Sequence, residues 1–152
     1  MAPNYSIHAI PAYMVLAFLP HAYAISSIKK ANNGKFNNVN ARGVDTLAMY
    51  KKSVPAEVFG RYERGKAAHA NLMENAPFFI GAVIVGNMMG LSAETMNTAI
   101  GSYLALRVAY IVAYINVTSQ KYSYVRSLLW AISSFVLGGI FVKAGNKLVA
   151  QG

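Results

Sequence analysis

Four runs with few or no charges divide the chain: Ile7 to Ile28, Ala67 to Met89, Met96 to Val117 and Tyr124 to Val142. Each is about 20 residues long, the length an α-helix needs to cross the hydrocarbon core of a bilayer. The surrounding sequence offers little for a soluble fold, since 55% of residues are hydrophobic and 12% charged. The runs therefore predict an all-α integral membrane protein, a four-helix bundle forming a single membrane domain over residues 1–152. Residues 29–66 are predicted as its cytoplasmic loop, with Asn32-Asn33-Gly34 as a turn. Ser92-Ala-Glu94 has N-cap character ahead of the third run, and Gly145 with Asn146 is expected to end the fourth helix. Pro11 and Pro20 fall in the first, where neighbouring helices can satisfy the freed carbonyls.

Charge placement predicts the orientation. Of fourteen Lys and Arg residues, nine lie between Lys29 and Lys66, and Lys121 and Arg126 add two at the loop joining the third and fourth runs. By the positive-inside rule both termini face away from the cytoplasm. No basic residue precedes the first run, and Lys29-Lys30 follows where small residues would mark cleavage, so it is expected to remain as a spanning helix. The net charge of +9 is explained by this loop lying against anionic lipid rather than by nucleic-acid binding. With no cysteine in the chain, disulfides, thiolate metal sites and a cysteine nucleophile are excluded.

Two polar stripes interrupt the apolar runs. Arg64, Asn71 and Glu74 lie at i, i+7 and i+10, one face of a helix at ~100° per residue. A carboxylate inside an apolar span costs roughly 2.5 to 3.5 kcal/mol unless a cation or ligand answers it, which makes Glu74 a candidate site residue. The third run carries Tyr103, Arg107, Tyr110 and Tyr114 on a single face. Their hydroxyls can donate to an anion and their rings can stack on an apolar substrate. The bland alternative is that Arg107 and Glu74 simply pair as a buried bridge. Arg126 is expected at the headgroup level, followed by Ser127 and, one turn deeper, Trp130. Tyr122, Tyr124 and Trp130 also suit an interfacial aromatic belt. His8, His21 and His69 show no ligand spacing, so no metal site is expected.

The run Glu63-Arg-Gly-Lys-Ala-Ala-His-Ala-Asn71-Leu-Met-Glu74-Asn-Ala-Pro77, with Arg107-Val-Ala-Tyr110-Ile-Val-Ala-Tyr114 and Tyr124-Val-Arg126-Ser127, resembles the MAPEG family. These are membrane-associated proteins of eicosanoid and glutathione metabolism. The resemblance implies a four-helix protomer in a homotrimer of the endoplasmic reticulum, with glutathione bound between protomers near the cytoplasmic surface. Arg64, Asn71 and Glu74 then resemble the glutathione contacts of the second helix, and Arg107, Tyr110 and Tyr114 those of the third. Arg126 resembles the arginine that activates the thiol, with Ser127 as an additional donor, and Lys29 or Lys30 a basic contact at the end of the first helix. Ala67 departs from the pattern, standing where members often carry a further arginine, so one carboxylate contact is either missing or supplied by Lys66.

The implied partners are glutathione, a lipophilic small molecule and the bilayer. Arg64, Lys66 and Arg107 suit the carboxylates of glutathione and Glu74 its ammonium. Phe78, Tyr110, Tyr114 and Trp130 are expected to form the aromatic wall for the lipophilic substrate. The activity implied is a glutathione-dependent transferase, extending to peroxidase action on lipid hydroperoxides. A glutathione-dependent isomerase or cyclase and a non-catalytic lipid-binding scaffold are the alternatives.

Overall fold

A computed structural model describes residues 3–151. A 3-10 turn at Ser6–His8 leads into α1 (Ala9–Ala31), followed by the short α2 (Val44–Ser53) and then α3 (Ala56–Met88), α4 (Ala93–Asn116) and α5 (Gln120–Val149). No strand occurs among the described residues. The turn with α1 (Ser6–Ala31), α4 and α5 are each long and apolar enough to cross a membrane.

The second predicted run is part of a longer helix. It starts at Ala56 rather than Ala67, and its first three turns carry Glu57, Arg61, Glu63, Arg64 and Lys66. This polar start, together with Asn71, Glu74 and Asn75, keeps α3 out of the set of apolar helices. The segment 29–66 is therefore not a plain loop, since it contains α2 and the start of α3. These form because Tyr50, Val54, Phe59 and Tyr62 bury themselves around Ala24 and Ile28 in a small apolar core of their own. The predicted turn is present, with Asn33 at φ 49° and Gly34 at φ 77°.

α3 is the organising element: α1 packs along it, and it also touches α4 and α5, which pack on each other. Glycine permits the approach at both ends. A Cβ at Gly65 would lie 2.9 Å from the Pro20 carbonyl oxygen and 3.0 Å from the Ala24 Cβ, and one at Gly86 2.5 Å from the Met96 sulfur. Between them the rings of Tyr13 and Phe79 stack at 4.6 Å and those of Phe79 and Tyr103 at 4.9 Å. The Tyr13 hydroxyl donates to the Leu72 carbonyl at 2.6 Å, so this polar tip is satisfied inside the core.

Helix ends follow local chemistry. Ser92 caps α4, its Oγ accepting from the Thr95 N–H at 3.2 Å. Pro11 sits in the first turn of α1, where no N–H is needed, and Pro20 is accommodated within an unbroken helix. The expected stop at Gly145-Asn146 does not occur. Gly145 does not take a left-handed conformation, and α5 runs on to Val149 with Lys147 Nζ donating to the Gly90 carbonyl at 2.6 Å.

Candidate functional site

Where α4 turns into α5 through Val117, Thr118 and Ser119, three helices enclose a cavity of about 420 Å³ lined by Asn71, Tyr110, Tyr114, Arg126, Ser127 and Trp130. The periodicity explains the convergence. Tyr110 and Tyr114 are one turn apart on α4, Arg126 and Trp130 one turn apart on α5, and Asn71 faces them from α3. All six are residues that the sequence nominated.

Arg126 is the one charged group in this lining. Its guanidinium carbon lies 4.4 Å from the centroid of the Tyr114 ring, a cation–π contact that sets its plane. Its hydrogen bond among the described residues is a long one, Nε to the Ser123 carbonyl at 3.4 Å. Both Nη groups remain available. The hydroxyls of Tyr110, Tyr114 and Ser127 add donors, and no carboxylate shares the lining. The cavity is thus built for an anion that meets an apolar group along Trp130 and the tyrosine rings.

Beneath it lies a buried cation. Arg107 is 0% exposed and donates to Asn71 Oδ1 at 3.3 Å and Asn75 Oδ1 at 3.0 Å. Its guanidinium sits 5.0 Å from the Tyr103 ring centroid and 5.5 Å from that of Tyr110. Arg107 Nε and the Tyr103 hydroxyl have no partner among the described residues. The Arg107–Glu74 bridge weighed from the sequence is absent: Arg107 is held by amides, and Glu74 is exposed on the single chain. Asn75 is the residue that sequence reasoning passed over. It stands one turn after Asn71 on the same face of an apolar run, and that spacing was the available signal.

The other nominated residues lie apart from the cavity. Arg64 Nε donates to the Ile115 carbonyl at 2.9 Å, closing the last turn of α4. Lys66 turns towards α1, its Nζ 3.2 Å from His21 Nδ1. Lys30 is exposed in the last turn of α1, and Lys29 lies over the Phe36 ring at 5.9 Å. Phe78 leaves the expected aromatic wall. It stacks on Phe141 at 5.1 Å, seven residues along α3 from Asn71, which at 1.5 Å per residue is about 10 Å away. His69 Nδ1 lies 2.8 Å from the Ala17 carbonyl oxygen, and no metal-binding cluster occurs among the described residues.

A model of the MAPEG family matches residues 7–146. No curated protein and no solved structure gives a match.

Proposed function

The chain belongs to the MAPEG family, whose members work in glutathione and eicosanoid metabolism, and from that premise we propose that it is a glutathione-dependent transferase. The observation that carries the proposal is Arg126, fixed over Tyr114 with its Nη groups free at the mouth of a donor-rich cavity that lacks an acid. With three helices apolar enough to cross a membrane, the family member is an integral membrane protein. A lipophilic electrophile reaches such a site through the bilayer.

Glutathione supplies the sulfur nucleophile. A thiol has an ordinary pKa near ~8.5, and holding it as thiolate at neutral pH takes about 2.7 kcal/mol for a shift of ~2 units. A guanidinium in hydrogen-bond contact within a partly dry cleft supplies energy on this scale. Arg126 stabilises the thiolate, Ser127 donates a second hydrogen bond, and the thiol proton leaves to water. The sulfur lone pair forms the new bond to the electrophilic carbon as the leaving group departs with its bonding electrons. With a hydroperoxide the thiolate attacks the outer oxygen and the O–O bond breaks, so the alkoxide leaves and is protonated to the alcohol; a second glutathione thiol then displaces the oxygen from the resulting sulfenic acid as water and forms the disulfide.

The same proposal takes all four long helices as spans and the protein as a homotrimer of the endoplasmic reticulum, its termini away from the cytoplasm. Glu74 supports the assembly, because a carboxylate this far along α3 is left exposed by one chain. A neighbouring protomer that covers this face brings Glu74 to the glutathione ammonium, for which the lining of the single-chain cavity holds no carboxylate. Thiolate absorbance at the ultraviolet edge tests the chemistry. Glutathione should give the signal with the wild type and lose it with Arg126→Ala; an equal signal from both overturns the assignment.

A further inference from the structure

A second and larger cavity lies at the opposite end of the α4–α5 pair. Its volume is about 620 Å³, and it is lined by Glu94, Thr95, Thr98, Ala99 and Ser102 from α4 and by Phe135, Val136, Gly139, Ile140 and Lys143 from α5. None of these residues takes part in the site of Arg126. From Glu94 to Ser102 and from Lys143 to Phe135 are eight residues each, about 12 Å of helix. The charges stand at the mouth and the apolar wall runs inwards. Phe135 is 80% exposed on a helix apolar enough to span, so this wall faces acyl chains.

Both charges are uncommitted. The ion pair among the described residues joins Arg61 to Glu57, far from this end. Lys147, the other nearby cation, is occupied by the Gly90 carbonyl. Thr95 accepts from the Ser92 hydroxyl at 2.9 Å, leaving Thr98 and Ser102 as the exposed hydroxyls of the α4 wall. Gly139 opens the floor: a Cβ there meets nothing within 4 Å.

We propose that this groove binds a phospholipid with a primary-amine headgroup, its ammonium on Glu94, its phosphate on Lys143 and one acyl chain along Ala99, Val136 and Phe135. One anion and one cation at the mouth match a zwitterion better than an anionic lipid, which leaves Glu94 opposed to a like charge. A primary ammonium donates hydrogen bonds to a carboxylate, whereas a quaternary one has no N–H and needs an aromatic cage that the mouth lacks. Thr98 and Ser102 supply donors at the depth of the ester carbonyls.

The test is lipid binding to the purified full-length protein in detergent, followed by native mass spectrometry. Phosphatidylethanolamine should bind about tenfold tighter than phosphatidylcholine, the ratio one charge-assisted hydrogen bond supports. In Glu94→Gln that ratio should fall towards one, and Gly139→Leu, which fills the floor, should weaken both lipids. Equal affinity of the wild type for the two lipids overturns the headgroup assignment. Unchanged binding in a Gly139→Leu protein that melts like the wild type overturns the location. If Gly139→Leu does not fold, Lys143→Met, at an exposed side chain, carries the same test and should weaken both lipids. A cross-link between copies of the lipid-free Phe135→Cys protein also overturns the proposal, because a second copy then covers the groove.

Discussion

Arg107 donates to the side-chain oxygen of Asn75 at 3.0 Å, and through this bond α4 is tied to α3 in the interior. Removing the acceptor leaves a buried guanidinium with Asn71 alone. Asn75→Leu should destabilise the protein by about 1–3 kcal/mol, the cost of an unsatisfied buried group. Thermal unfolding in detergent checks this, with Lys35→Gln as the exposed control that should melt like the wild type.

Tyr114 orients the cation of the cavity by lying under it. In Tyr114→Leu the guanidinium loses a contact of about 0.5–1 kcal/mol, so the bound thiol should titrate roughly half a pH unit higher, while Tyr114→Phe should leave it in place. The pH dependence of thiolate absorbance gives the answer, and equal midpoints in Leu and Phe variants remove Tyr114 from the positioning role.

Arg126 should not be replaceable by lysine. A point charge on a flexible stem lacks the planar fork that stacks on Tyr114. We expect Arg126→Ala to lower kcat/KM by about 100-fold, which corresponds to ~2.7 kcal/mol, and Arg126→Lys to recover only part of the loss. Steady-state conjugation of a lipophilic electrophile is the measurement.

Glu74 should matter for binding rather than for folding. Glu74→Gln is expected to weaken glutathione affinity about tenfold, the scale of one charge-assisted hydrogen bond, with little change in melting. Isothermal titration checks it; unaltered affinity returns Glu74 to a role outside the site.

Close helix approach gives a comparison among glycines. Gly65→Val drives a side chain into the Pro20 carbonyl, so it should lower the melting temperature more than Gly101→Ala, whose Cβ meets nothing within 4 Å. A circular-dichroism melt of the two variants is sufficient.

Helical periodicity made the cavity readable. Tyr110, Tyr114, Arg126, Ser127 and Trp130 were nominated by spacing or resemblance, and all line it with Asn71. What spacing along one helix does not carry is its rotation against its neighbours. That rotation sends Lys66 to His21, while Phe78 shares the face of Asn71 but lies two turns further along α3, where it meets Phe141. The start of α3 and the whole of α2 were hidden for another reason. Their sequences are too charged to read as spans, and they are helical because a few aromatic residues find a second core beside Ile28. Gly145 misled because a glycine ends a helix only where the left-handed conformation is adopted, and here it is not.

The helix that contacts most of the others is also the long helix whose own sequence does not qualify it for lipid. During synthesis α1 can partition on its hydropathy as soon as it emerges, but α3 depends on company. Pro20 and Ala24 are already waiting for Gly65, whereas Arg107 and Tyr103 arrive only with α4. A nascent chain stalled before residue 93 would hold α3 with Asn71 and Asn75 still lacking the Arg107 guanidinium. Substitutions at the α3–α4 contact lie out of sight in a finished protein and still bear on how much of it is made.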